Sequence, residues 1–353
     1  MEINRSELLS ALKAALPGLG KEEWAQFHCF AFFDGNVVTR NDSICILCPV
    51  PELNGFTGAV PGKKLYEFLS SVDQDTVRFE PDDKELRIRF GRAKAGLKMF
   101  KEIQIPKLNY DGDWNRLPED FLEGVRIALP SSSREDSRYY LKAIHVHGSF
   151  VETTNGLCLT RYICKGGMGS RELLIPVEPC KELLNYKVTS FLVNREASWI
   201  HFKTDDGIIF SSRLLEEGTP YPDFSRVINV EGHEIYLPKE VAPALARAGI
   251  FSEVDANVKT VNRITIHPLN VRIESGKITI RSECEAGWFE EEFDIDYVGE
   301  LIDFGVGAEF IFEACKHQSA CIISKDRDRM KFKHDQWEHV VSLRTIPKKV
   351  YNT

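Results

Sequence analysis

The chain repeats itself. Residues 5–16, 118–129 and 238–249 superimpose so that Leu8, Phe121 and Val241 share one column. Leu12, Val125 and Leu245 share a second, and Ala15, Ala128 and Ala248 a third. Spacing of i, i+4, i+7 is the apolar stripe of an amphipathic helix. Pro118 and Pro238 suit a first helical turn, whereas Pro243 falls inside the third segment and is expected to kink or delay it. A second anchor recurs at Pro61, Pro176 and Ile295. The first anchor gives offsets of 113 and 120 residues, and the second 115 and 119. Two anchors with one period predict three domains of one kind, 1–115, 116–233 and 234–353.

Between the helices the period falls to two. Val77 and Phe79 alternate, then Leu86, Ile88 and Phe90, across the polar turn 80–84, which predicts a hairpin. Phe191, Val193, Ile200 and Phe202 take that place in the second repeat, and Phe310, Phe312, Cys321 and Ile323 in the third. Strands at 36–39, 150–153 and 270–273 follow each first helix. Each repeat therefore reads as an α+β domain with an antiparallel sheet and two helices on one face.

Composition narrows the classes. The 353 residues carry 45 Lys+Arg against 53 Asp+Glu, a net charge of −8, and 43% are hydrophobic. That suits packed cores and argues against a protein that coats nucleic acid with its whole surface. No run approaches a membrane span, no secretory leader is expected, and nine scattered cysteines suggest reduced thiols in the cytoplasm.

The second repeat carries a resemblance. Arg138-Tyr139-Tyr140-Leu141, Thr154-Asn155-Gly156 with Leu159, Leu174-Ile175-Pro176, and Tyr221-Pro222-Asp223-Phe224 with Val227 follow one another in order. They match the R-Y-Y-L, T-D-G-x-x-L, I-V-P and F-P-D-Y-x-x-V elements of the bacterial DNA polymerase sliding clamp, the beta subunit, which the chain resembles. The resemblance implies a homodimeric closed ring around double-stranded DNA, held without sequence preference, with sheets outside and helices inside. It also implies a polymerase and a clamp loader as partners, no cofactor and no catalytic activity.

Two sets of site residues follow. Lys21 and Arg134 match loops that approach the phosphates; Lys13 and Arg126, in one helix column, and Lys63 and Lys64 are the other candidates for the DNA-facing surface. Leu141, Thr154, Gly156, Leu159, Pro222, Arg226, Val227, Leu343 and Arg344 match the pocket that receives linear peptides from partners. Two departures stand out. The family's His-Arg pair is Leu157-Cys158 here, and its Met-Pro-Met-Arg-type tail is replaced by a sequence running on through 347–353. They imply a different peptide preference, such as a phage or plasmid clamp with its own polymerase requires. The six expected helices sum to −2, with 295–304 alone contributing −3. That acidity motivates a rival, a clamp-like decoy or transcription co-activator.

Catalytic motifs are thin. His145 and His147 share a strand face but lack a third ligand at recognisable spacing, so a metal-dependent enzyme is the remotest reading. Cys45 and Cys48 have CxxC spacing within an apolar run and read as buried thiols. Ser275-Gly276-Lys277 lacks the rest of a phosphate loop and reads as a hairpin turn. The acidic pairs at Asp111/Asp113, Asp294/Asp296 and Asp326/Asp328 fall in turns or helix starts.

Overall fold

The computed structural model describes residues 1–21, 26–194, 198–252 and 269–346. It divides into two compact units, Met1–Phe121 with Ser170–Thr219, and Leu122–Gly169 with Pro220–Thr353. Six α-helices occur among the described residues: α1 (Arg5–Ala15), α2 (Gly62–Ser70), α3 (Phe121–Ala128), α4 (Val177–Leu183), α5 (Val241–Ile250) and α6 (Ala308–His317). None is long and apolar enough to cross a membrane.

The first helix shows why the stripe reads correctly. Asn4 caps it by accepting from the backbone N–H of Ser6 and Glu7 at 2.9 and 3.2 Å, and Leu8, Leu12 and Ala15 are buried. Pro179 and Pro243 both fall in the first turn of their helices, where a missing N–H breaks no helical bond. The chain thus delays α5 to Val241 instead of kinking it.

In the first unit one antiparallel sheet runs Glu2–Asn4, Thr76–Pro81, Glu85–Phe90, Ala93–Lys98. An eight-stranded sheet runs Gly58–Pro61, Cys29–Phe33, Asn36–Arg40, Ile44–Pro49, Ile209–Arg213, Trp199–Thr204, Val188–Val193, Asn115–Arg116. Its two halves are spliced by Ile44–Pro49 against Ile209–Arg213, with Phe210 opposite Ile46. Phe30, Phe32, Phe56 and Phe79 form a buried aromatic chain with centroids 6.5, 5.4 and 6.2 Å apart. Each such side chain contributes roughly 1.5–3 kcal/mol by burial.

The second unit repeats the plan. Seven strands lie in the order Ala143–His147, Phe150–Thr154, Cys158–Ile163, Trp337–Ser342, Arg329–Lys333, Ala320–Ser324, Gly232–Tyr236. The splice here is Cys158–Ile163 against Trp337–Ser342, with Leu159 opposite Val340. A separate four-stranded sheet runs Gly287–Asp294, Lys277–Cys284, Leu269–Glu274, Ile302–Val306.

A buried hydroxyl marks the repeat. Thr39 donates to the carbonyl of Ala15 at 2.6 Å, Thr153 to that of Ala128, and Ser282 to that of Ala248 at 2.8 Å. The three alanines are the third column of the sequence repeat. Each bond satisfies a carbonyl at a helix C-terminus that has no partner within the helix.

These bonds also correct the third repeat. Ser282 makes Lys277–Cys284, not the segment 270–273, the counterpart of Asn36–Arg40 and Phe150–Thr154. Residues 295–304 are not a helix: they are irregular up to the strand Ile302–Val306, and the second helix of the repeat is α6. Phe310 and Phe312, expected on a strand, lie on α6, while Cys321 and Ile323 do sit on the strand Ala320–Ser324. The register slips because nineteen positions separate Ile250 from Leu269, against fourteen between Ala15 and Cys29. The hairpin strands are also longer, eight residues each against five and six. Ser275–Gly276 is the expected hairpin turn, with Gly276 at φ +82°.

Two buried histidines are held neutral. Nε2–H of His339 donates to the Phe310 carbonyl at 2.6 Å, so its Nδ1 accepts from Thr160 Oγ1 at 2.8 Å, and Thr160 pairs with Ser131 at 2.7 Å. His201 pairs through Nδ1 with Ser211 Oγ at 2.8 Å. Burial pushes both imidazoles down to about 4. The unfolded chain therefore takes up protons first as pH falls. The stability from keeping each ring neutral is full above about 6.5 and is lost progressively down to about 4. Urea titrations are expected to show a loss of up to about 3 kcal/mol per histidine across that window. His339→Gln is expected to remove roughly half of the slope.

Candidate functional site

All nine residues expected to line a peptide pocket lie in the second unit. Leu141 is buried near the end of the 3-10 segment Asp136–Lys142. Thr154 ends its strand and builds a tight turn: its hydroxyl donates to the Cys158 carbonyl at 2.7 Å and accepts from Gly156 N–H at 3.0 Å. Asn155 Oδ1 accepts from the N–H of Leu157 and Cys158 at 2.8 and 2.9 Å. An acceptor oxygen is all this turn needs, which is why Asn can stand where the T-D-G element has Asp. Gly156 has φ +88°, and a Cβ there would come within 3.0 Å of Arg138 Nη1. The segment carrying Leu141 thus closes over the turn.

Leu159 lies in a cluster with Phe224, Ile228, Val230 and Val340, against which Tyr221 and Ile322 pack. Pro222, Arg226 and Val227 stand exposed on the segment 221–230 that feeds this cluster. The chain beyond the splice is tied in by Ser342 N–H donating to the Leu157 carbonyl at 2.8 Å and Leu343 N–H to the Asp328 carbonyl at 2.7 Å. Leu343 is buried and Arg344 exposed, its backbone bridged to Gly305. The segment 221–230 and the last strand therefore meet Leu159 on one apolar floor, and the 3-10 segment reaches the turn beside it through Arg138. The expected departure at 347–353 lies outside the described residues.

The sequence reading missed the floor and its supports. Phe224 stands inside a quoted motif, whereas Ile228, Val230 and Val340 announce themselves only as alternating apolar residues. Beneath Tyr221 lies a buried polar platform. Glu152 pairs with Arg161 and with His145 Nδ1 at 3.1 Å, and the His145 ring is 4.7 Å from that of Tyr221. His145 is thus engaged with a carboxylate and an aromatic ring, and stacks on His147 at 6.3 Å. Among the described residues no group of three or more His, Cys, Asp or Glu is placed to hold a metal ion. All nine cysteines are free; burial raises Cys45 to about 11 and Cys48 and Cys158 to about 12, which makes them poor nucleophiles.

The basic candidates divide between the units. In the first, Lys13 is exposed on the last turn of α1, Lys63 and Lys64 on the first turn of α2, and Lys21 in the bend after α1. In the second, Arg126 is exposed on α3 and Arg134 in the loop beyond it. Lys64 pairs with Glu67 at 3.4 Å and Arg126 with Glu123, both exposed i,i+3 pairs of small net worth that a phosphate can displace. With the observed boundaries the helices carry eight Lys/Arg (Arg5, Lys13, Lys63, Lys64, Arg126, Lys181, Arg247, Lys316) against seven Glu. The negative total disappears with the segment 295–304, which is not helical.

Three copies of one α+β unit, spliced edge to edge into shared antiparallel sheets, make up the fold of the bacterial polymerase sliding clamp. No protein-family model matches the chain. The beta sliding clamp of Caulobacter vibrioides (strain NA1000 / CB15N) is 25% identical over 275 residues, covering 72% of this chain and 71% of that protein. The DNA polymerase III subunit beta of Pseudomonas aeruginosa superimposes with a TM-score of 0.83 at 16% identity, covering 98% of this chain and 100% of that one. The Bacillus subtilis clamp gives 0.81 at 16% (98% and 99% covered), and a P. aeruginosa clamp bound to griselimycin 0.81 at 15% (98% and 99%).

The turn at Gly156 supplies a local test. Gly156→Ala places a Cβ at φ +88° and against the Arg138 guanidinium. The expected cost is about 1–2 kcal/mol, read from urea unfolding.

Proposed function

We propose that the chain is a DNA polymerase processivity factor, a sliding clamp that encircles duplex DNA as a ring of two head-to-tail subunits. Its three domains are 1–115, 116–233 and 234–353. It is opened by an ATP-driven loader and tethers a polymerase through the pocket lined by Leu141, Thr154, Gly156, Leu159, Pro222, Arg226, Val227, Leu343 and Arg344. The DNA-facing surface is assigned to Lys13, Lys21, Lys63, Lys64, Arg126 and Arg134. It performs no catalysis; a cytoplasmic setting is supported by nine free thiols.

The observation that carries this reading is topological. Within the chain the third strand after a first helix pairs with the last strand of the following repeat: Ile44–Pro49 with Ile209–Arg213, and Cys158–Ile163 with Trp337–Ser342. The third strand of the last repeat, Gly287–Asp294, and the last strand of the first, Ala93–Lys98, each end a four-stranded sheet, and among the described residues no further strand pairs with the outer edge of either. They are opposite in formal charge: Lys94 and Lys98 on one, Glu290, Glu291, Glu292 and Asp294 on the other, where Arg281, Arg247 and Lys277 pair with the three glutamates. An acidic edge meeting a basic edge of a second copy makes a heterologous contact, and two such contacts close a ring that removes both open edges. A ring holds DNA by topology, so its lining needs only weak phosphate contacts. The decoy reading rested on an acidic helix total and loses its motive.

Retention on DNA tests the proposal. With a clamp loader and ATP, the protein is expected to co-elute with nicked circular plasmid and to run off once the plasmid is linearised. Equal retention on both forms, or on neither, contradicts it.

A further inference from the structure

The segment 221–230 supplies Pro222, Arg226 and Val227 to the proposed pocket without belonging to any helix or strand. Val227 N–H and Ile228 N–H both turn back to the Phe224 carbonyl, at 3.0 and 2.9 Å. The carbonyls of residues 226, 227 and 228 are met instead from the strand Arg329–Lys333. Arg329 Nη1 donates to the Arg226 and Val227 carbonyls, each at 3.4 Å, and Lys331 Nζ to the Ile228 carbonyl at 2.7 Å. Lys331 is only 7% exposed, and Glu338 on the neighbouring strand balances its charge at 2.7 Å.

Burying an ammonium is costly unless it is both paired and hydrogen-bonded. An apolar side chain would cover the floor at lower cost but could not hold a carbonyl. We infer that Lys331 and Arg329 are positioning residues of the peptide pocket. Together they clamp three successive carbonyls and so fix how Arg226 and Val227 are presented to a docking peptide. A preset rim spares the complex the entropy of ordering it, which raises affinity without adding a contact. The inference rests on the pocket reading above.

The test uses the full chain and griselimycin, which a P. aeruginosa clamp binds. Lys331→Met alone would strand Glu338 as a half-buried charge, so the variant is Lys331→Met/Glu338→Gln, with Arg329→Gln as a second, more exposed change. Calorimetric titration is expected to show griselimycin binding at least tenfold weaker in the double variant. Amide hydrogen exchange of the free chain is expected to quicken across 224–230 and to hold steady in the strands Cys158–Ile163 and Trp337–Ser342. Unchanged affinity, or unchanged protection across 224–230, overturns the positioning role while leaving the pocket reading in place. Failure of the unaltered chain to bind griselimycin overturns the reading that these residues form a pocket of the P. aeruginosa kind, and this inference with it.

Discussion

Strand pairing across long stretches of sequence is the constraint on which the structure depends. Ile46 lies opposite Phe210, and Leu159 opposite Val340, more than 160 positions away in both cases. A four-stranded sheet ending in a flat edge is a liability, since its unpaired N–H and C=O groups will recruit any strand they meet. Splicing one repeat to the next converts that liability into structure. The candidate pocket is a product of the second splice, because Leu159 and Val340 face each other there and Phe224, Ile228 and Val230 cover them. Lose the splice and the floor goes with it.

Helices are fixed to these sheets by more than apolar stripes. The hydroxyl of Thr39, Thr153 or Ser282 reaches the carbonyl of the alanine near the end of α1, α3 or α5. Each bond is worth about 1 kcal/mol net, but leaving such a buried carbonyl unmet would cost more. Small residues recur at that column because the strand must come close enough for a short side chain to bond.

How much was legible in the sequence follows from range. The stripes of α1, α3 and α5 and the hairpin 76–90 are local patterns, and they read correctly. The third repeat read one strand out of step, since a longer connection and longer hairpin strands moved Ser282 and α6 away from the expected period. Ile302-Asp303-Phe304 alternates as a strand, but an assumed period of about 119 placed a helix over it. Of the pocket, Leu159 and Phe224 stand within motifs and were visible. Lys331 was not, because a lysine on an alternating strand ordinarily points to water. Only the carbonyl of Ile228, 103 positions earlier, and Glu338 make it an interior residue.

The opposite charges of Ala93–Lys98 and Gly287–Asp294 carry the account from one chain to a ring, and solution mass tests that step most directly. Light scattering on the purified protein at micromolar concentration is predicted to give a single species near twice 40.2 kDa. A stable monomer at that concentration, or an open-ended ladder of larger species, would contradict closure by two subunits.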